Sequence, residues 1–235
     1  MDLTDKSEQF MILLVVDTSG KNGCVALARA QSTSESVKVI EEIPLTGGTF
    51  SAQLVPQIAE LLTKHGFSKT DIGAFVVVSG PGSFTGLRVG LAAIKALAEI
   101  LQKPIVPVSL LEVVTLASGA QGHVLAALDA GRGEVYVGEY EVAHGSEMLV
   151  REQLLTKDEF ASVAEGRLAV TPDEILAGSL RGLGISVSTV ASIRAEMIAK
   201  VGHRKLQSGE SVSPVQLEAN YIRRSDAEIF AKPSA

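Results

Sequence analysis

Apolar runs that end at an aspartate occur twice along this chain. Met11–Asp17 is short, continuous and rich in valine and leucine, which predicts a buried strand. A polar turn over Thr18–Asn22 precedes Gly23–Ala28, which we interpret as the returning neighbour strand. A second run, Val124–Asp129, closes on its aspartate 112 residues after the first and is followed by a returning strand over Glu134–Glu141. This repetition predicts two related β-rich halves.

Further elements of the first half follow from periodicity. Lys38–Ile43 is a plausible third strand, and Ala74–Ser79 is an apolar stretch typical of a buried strand. Helical spacing of apolar residues over Ser51–His65 predicts an amphipathic helix, for which Ser51 is the expected N-cap. A second helix is predicted to run through Leu101.

Elements of the second half are less regular in sequence. Thr156 and Glu159 have capping-box spacing, which predicts a short helix over Thr156–Ala164. The segment 178–184 contains three glycines and supports no assignment. A further helical face is indicated by Val190, Ile193, Met197 and Val201, and 214–225 is expected to be a closing segment.

A glycine-rich string, Gly80–Gly90, separates the strand at Ala74–Ser79 from the following helix. Such a turn points backbone N–H groups and the positive end of a helix dipole at one small space, where an anion could bind. The same glycines also permit a tightly packed strand-to-helix turn. The string departs from the dinucleotide fingerprint, the P-loop and the nucleophile elbow. Residues that would line a nucleotide site here are Asp17, Ser19, Gly80, Gly82, Ser83, Thr85 and Arg88.

Composition excludes several classes of function. The chain has 235 residues, a net charge of −6 and only 4% aromatic residues, so the basic, aromatic surface of a free-standing RNA binder is missing. Its four histidines are widely spaced, and its one cysteine, Cys24, is expected to be buried and inert. We therefore predict no metal site. The polar start of the chain and the lack of a long apolar run lead us to expect a cytoplasmic protein that does not bind a membrane.

The string Gly80–Gly90 resembles the bacterial TsaB (YeaZ) family, together with Asp17-Thr18-Ser19, the stretch Asp129–Tyr136 and the late motif Asn220–Arg223. That family belongs to the glycoprotease-like branch of the actin, Hsp70 and sugar-kinase superfamily. The resemblance implies an α/β, duplicated actin-like (ribonuclease H-like) fold, with two lobes that each have a mixed β-sheet flanked by helices. We expect an N-terminal lobe over 10–112 and a smaller, divergent lobe over 113–235.

The resemblance also implies a function, that of a non-catalytic subunit which dimerises with TsaD and activates it. That complex, with TsaE, forms threonylcarbamoyladenosine beside the anticodon of tRNA. The contact with tRNA would then be indirect, and ATP or ADP with Mg²⁺ would bind only in the complex. Small residues after the glycine string allow close helix approach. The expected interface comprises Leu54, Ile58, Leu62, Gly86, Gly90, Ala93 and Leu97.

Two other assemblies or activities remain open from the residues. A homodimer that used the same helix face would exclude the heterodimer. The paired acidic turns and the glycine string also fit a stand-alone actin-like ATPase or small-molecule kinase, although an aspartate at a strand end commonly just caps its turn. A peptidase ranks last because neither a serine elbow nor a metal constellation is apparent.

Overall fold

The computed structural model describes residues 10–31, 34–143, 146–190 and 193–223. The polar start of the chain, at 1–9, and residues 224–225 of the expected closing segment lie outside this range. Within it, none of the helices has the length and apolar character that a membrane span requires. The described chain forms two compact units. We call residues 10–78, 85–108 and 194–218 the first unit, and residues 79–84, 109–193 and 219–223 the second unit.

Over the described ranges, ten strands form two five-stranded sheets. The strands of the first sheet are β1 (Phe10–Asp17), β2 (Asn22–Gln31), β3 (Val37–Thr46), β4 (Ile72–Gly80) and β5 (Ile105–Ser109). Those of the second are β6 (Gly122–Gly131), β7 (Glu134–Ala143), β8 (Ser146–Thr156), β9 (Leu168–Thr171) and β10 (Ser186–Thr189). The α-helices are α1 (Phe50–Lys64), α2 (Phe84–Leu101), α3 (Leu110–Ala117), α4 (Lys157–Val163), α5 (Glu174–Gly182) and α6 (Ala195–Gln207), and a 3₁₀ turn covers Lys69–Asp71.

The two sheets have the same topology. The first has the order β3-β2-β1-β4-β5, with β1 antiparallel to β2 and parallel to β4. The second, read from β8, has the order β8-β7-β6-β9-β10, with β6 antiparallel to β7 and parallel to β9. The repeat that the two aspartate-ended runs predicted is therefore confirmed, as is the duplicated fold with two mixed sheets flanked by helices.

Helices cover both faces of the first sheet. Glu41 and Glu42 are neighbours on β3, so their side chains point to opposite faces. Glu41 accepts a hydrogen bond from Lys64 Nζ at the end of α1, whereas Glu42 accepts one from the backbone N–H of Ala195 at the start of α6. Helices α1 and α6 therefore lie on opposite faces of this sheet.

The second sheet is covered in the same way. Leu111 and Val114 of α3 pack with Tyr136 and Tyr140 on one face. On the other face, residues of β7 that alternate with these tyrosines pack against Phe160 of α4 and against α5. Each unit therefore has its own apolar core between a sheet and its helices.

Several expectations from the sequence differ from the structure. Residues 194–218, assigned to a C-terminal lobe at 113–235, belong to the first unit because α6 packs against β1, β2 and β3. The N-cap of α1 is Thr49, so Ser51 lies inside the helix. The unassigned segment 178–184 is mostly helical, within α5. Val190 precedes α6 and is not part of it.

Candidate functional site

The glycine string forms a turn between β4 and α2. The backbone N–H of Asn220 donates to the Ser79 carbonyl oxygen at 2.8 Å. Gly80 has φ +139°, and a Cβ atom at this position would lie 2.7 Å from the Asn220 carbonyl oxygen. Glycine is therefore required at position 80 both by backbone conformation and by the close approach of a distant segment.

The predicted nucleotide residues are distributed between the two units. Asp17 and Ser19 lie in the first unit, and Gly80, Gly82 and Ser83 lie in the second. Thr85 and Arg88 are exposed on the first turns of α2.

Asp17 and Ser19 are bonded to each other. The Asp17 carboxylate accepts the Ser19 backbone N–H at 2.8 Å and the Ser19 hydroxyl at 2.6 Å. Burial raises the pKa of Asp17 despite these two bonds, and the nearby Glu42 carboxylate adds to that rise. The geometry is that of an aspartate stabilising its own turn, with a second carboxylate nearby that would repel a phosphate.

Asp129, the counterpart of Asp17 in the second half, has a similar local role. Its carboxylate accepts the backbone N–H of Gly131 at 3.2 Å. Arg132 follows in the left-handed region, at φ 56°, between two glycines that also have positive φ.

Among the described residues, no cluster of three or more His, Cys, Asp or Glu side chains is placed to hold a metal ion. Cys24 is buried, and burial raises the pKa of its thiol.

Gly86 and Gly90, expected at a partner interface, instead pack inside the first unit. A Cβ atom at Gly86 would overlap the carbonyl oxygen of Thr18, and one at Gly90 would overlap the Thr18 hydroxyl. That hydroxyl donates a buried hydrogen bond to the Gly86 carbonyl oxygen at 2.8 Å. The small residues thus bring α2 close to the end of β1, and the interface role expected for them is corrected.

The same correction applies to the apolar residues of α1. Leu54, Ile58 and Leu62 are between 1% and 6% exposed. They face the protein interior, since α1 packs against β2 and β3. Five of the seven expected interface residues are therefore buried, and only Ala93 and Leu97 are partly accessible.

A different set of residues faces outward from the two helices. The ring of Phe50, the first residue of α1, would lie 3.4 Å from a Cβ at Gly86 of α2, so both helices lie on the same face of the sheet. Val55 is 53% exposed and Ile100 is 72% exposed. We call the apolar, solvent-accessible set the outer face: Ala52, Val55, Pro56 and Ala59 of α1, with Val89, Ala92, Ala93, Ala96, Leu97 and Ile100 of α2.

The outer face follows helical periodicity. On α2, Val89, Ala93, Ala96 and Ile100 recur at intervals of three or four residues, which places them along one stripe. Helix α2 therefore has a small-residue stripe towards Thr18 and an exposed apolar stripe, and Arg88, Lys95 and Glu99 form a charged stripe on the same helix. The expected interface on α2 rested on small residues such as Gly86 and Gly90, so the signal of this exposed stripe was missed.

Comparison with known proteins identifies relatives across most of the chain. A family model described as TsaD, tRNA N6-adenosine threonylcarbamoyltransferase, matches residues 44–205. The tRNA threonylcarbamoyladenosine biosynthesis protein TsaB of Escherichia coli (strain K12) is 30% identical, over 92% of this chain and 96% of that protein. The protein of the same name from Bacillus subtilis (strain 168) is 36% identical over 57% of each chain.

Solved structures give the same result at the level of the fold. A crystal structure of an uncharacterized Pseudomonas aeruginosa protein with similarity to peptidase YeaZ superposes with a TM-score of 0.73 and 26% identity, covering 91% of this chain and all of that one. The structure of YeaZ from Pseudomonas aeruginosa has a TM-score of 0.70 and 25% identity, over 88% of this chain and 99% of that one.

Proposed function

Because this chain belongs to the TsaB (YeaZ) family, we propose that it serves in tRNA threonylcarbamoyladenosine biosynthesis as a non-catalytic subunit that docks onto TsaD and activates it. The observation that carries this proposal is the outer face. The inner sides of α1 and α2 complete the core of the first unit, and the outer sides carry an exposed apolar stripe beside charged residues such as Glu60 and Glu99. An apolar face of this kind on a folded protein commonly marks a protein interface.

The composition of the outer face favours a helical partner surface. Alanines at 92, 93 and 96 allow another helix to approach the backbone of α2 closely, and Val55 and Ile100 provide larger projecting groups. The family model that matches this chain is that of TsaD itself, so a partner with a corresponding helix pair is to be expected. Packing two such pairs together would form a four-helix contact.

A supporting role is favoured over catalysis by the two acidic turns. Asp17 bonds Ser19, and Asp129 bonds the backbone of Gly131, so both carboxylates have local structural functions. We propose that ATP or ADP with Mg²⁺ binds only in the assembled complex, which includes TsaE, and that contact with tRNA is indirect. A cytoplasmic location follows from this function.

A charge placed on the outer face tests the docking proposal. We expect the wild-type chain to form a one-to-one complex with TsaD of the same host, measured by multi-angle light scattering and calorimetry. Ala96→Glu should weaken binding by about a hundredfold, because the interface would bury an unpaired carboxylate. Thermal unfolding of the free variant should be unchanged, since Ala96 is exposed.

Ala143→Glu is the matched control, because it makes the same change at an exposed residue at the end of β7 in the second unit. It should bind TsaD as the wild type does. Failure of the wild-type chain to bind TsaD would overturn the proposal. Equal binding by Ala96→Glu and wild type would move the docking surface away from α2.

A further inference from the structure

The segment Asn220–Arg223, which we call the strap, holds the glycine string from outside. Its first residue bonds the Ser79 carbonyl oxygen through the backbone and leaves space only for glycine at position 80. One residue later, the Tyr221 ring lies 4.8 Å from the Phe84 ring, at an angle of 34°. The strap therefore contacts both ends of the turn that joins β4 to α2.

The side chain of Asn220 is held in turn by Glu152 of β8. Its amide donates to one oxygen of the Glu152 carboxylate. The other carboxylate oxygen accepts the Tyr140 hydroxyl at 2.8 Å and the Ser109 hydroxyl. Burial, with the Glu152 carboxylate beside it, raises the pKa of Tyr140, so this hydroxyl stays protonated and donates. One carboxylate thus orients three donors from distant parts of the second unit.

The other end of the strap is fixed to the turn between β6 and β7. The guanidinium of Arg223 forms an ion pair with Glu134 and lies 6.0 Å from the centre of the Tyr136 ring. Contacts at both ends limit the positions that Asn220 and Tyr221 can take.

The glycine string needs such external contacts. Gly80 and Gly82 have little intrinsic preference for one backbone conformation, so fixing them requires interactions with other residues. Phe84 is the first residue of α2, and Val89, where the outer face begins, follows after about one and a half helical turns. The string therefore connects the residues that the strap contacts to the first turns of α2 through the backbone.

From these contacts we infer that Glu152 is a positioning residue for partner docking, acting through Asn220 on the glycine string and the start of α2. The docking part of this inference rests on the proposed function. Neither residue lies on the outer face, so any effect on TsaD binding would be transmitted through the strap.

A reversal of the Glu152–Asn220 hydrogen bond tests this inference. Asn220→Asp keeps the size of the side chain but sets a carboxylate against the Glu152 carboxylate. Combining it with Glu152→Gln restores one donor and one acceptor, now in the opposite direction. Glu152→Gln alone should have a small effect, because the Asn220 amide can rotate to offer its oxygen.

Two measurements on the full chain read out the result. Amide hydrogen exchange over residues 79–90 should become about tenfold faster in Asn220→Asp and return towards the wild-type rate in the double variant. Exchange in the central strand β1 should stay unchanged. Affinity for TsaD should fall about tenfold in Asn220→Asp and recover in the double variant.

Gln153→Glu is the matched control. It makes the same amide-to-acid change as Asn220→Asp, but at the residue next to Glu152, whose side chain points to the opposite face of β8. It should alter neither measurement. Unchanged exchange over 79–90 in Asn220→Asp, equal acceleration in β1, or no recovery in the double variant would each overturn the positioning role. Failure of the wild type to bind TsaD would remove only the docking part, while exchange would still decide whether the strap controls the string.

Discussion

The role of a small residue on α2 depends on which neighbouring atoms it contacts. Gly90 and Ala93 occupy neighbouring positions of one helix, and both are small. Gly90 is buried against Thr18, whereas Ala93 is partly exposed on the outer face. Small side chains, together with the resemblance to the TsaB (YeaZ) family, predicted an interface role for both, but only Ala93 is partly exposed.

Gly90→Ala is expected to lower the free energy of unfolding by about 1–3 kcal/mol, because the new methyl group would overlap the Thr18 hydroxyl in a packed interior. Urea denaturation at constant slope would measure this change. Gly178→Ala, in the middle of α5 with open space around it, is the matched substitution. It should raise stability by about 0.5–1 kcal/mol. Equal stability of Gly90→Ala and wild type would contradict the packing assigned to Thr18.

Asp17→Asn tests the local role of the first acidic turn. The pKa of Asp17 is raised above 3.8 in the folded chain, so the folded state holds this proton more tightly than the unfolded state. Stability therefore decreases as pH rises from about 4 through the raised pKa, and the variant should lack this part of the pH dependence. Denaturation midpoints of wild type and variant between about pH 4 and 7 would measure this difference. Parallel pH dependences of the two proteins would contradict a raised pKa of Asp17. ATP binding by the isolated wild type that Asp17→Asn abolishes would instead favour a nucleotide enzyme.

At the level of helices and strands, the sequence predicted those elements whose apolar pattern is strong and bounded. The strands around Asp17 and Asp129, helix α1 and the capped helix α4 all agree with the structure. Less patterned elements had no assignment. β8 is half exposed along its length, and α3 is apolar on nearly every side. Periodicity carries little information in either case, because there is no clear contrast between two faces.

The cap of α4 offers a direct test at this level. Thr156 accepts the Glu159 backbone N–H at 3.2 Å, and Glu159 accepts the Thr156 backbone N–H at 2.8 Å. Thr156→Ala should lower the free energy of unfolding by about 1 kcal/mol, whereas Thr156→Ser should retain most of the wild-type stability. Ser51→Ala, at the position wrongly expected to cap α1, should change stability by less than about 0.5 kcal/mol. A loss of stability in Ser51→Ala as large as that in Thr156→Ala would contradict the observed start of α1.

At the scale of the whole molecule, segments that are far apart in sequence pack in the same unit. The first unit takes α6 from beyond the second unit, and Gly202 of α6 is close enough to Val76 that a Cβ there would overlap it. Val76 itself is fully buried. A lobe of 10–112, as expected from the sequence, would lack this cover on one face of its sheet.

A fragment of residues 10–112 should therefore fail to fold stably and should bind a hydrophobic dye, because the face around Val76 would be exposed to water. Adding a peptide of residues 194–218 should restore protection of β1 and β4 from amide exchange. A peptide of the same composition in scrambled order is the control. Cooperative unfolding of the fragment alone would show that α6 is dispensable for the first unit.

Local patterns in the chain were enough to predict the duplicated fold, the strands ending at Asp17 and Asp129, and membership of the family, because these depend on residues close together in sequence. They could not show that Thr18 occupies the inner side of α2, that α6 returns to the first sheet, or that Asn220 holds Gly80. Each of those depends on residues far apart in the chain. Their contacts form only when folding brings the surfaces together, and burial of the inner sides there leaves the outer sides of α1 and α2 exposed to solvent.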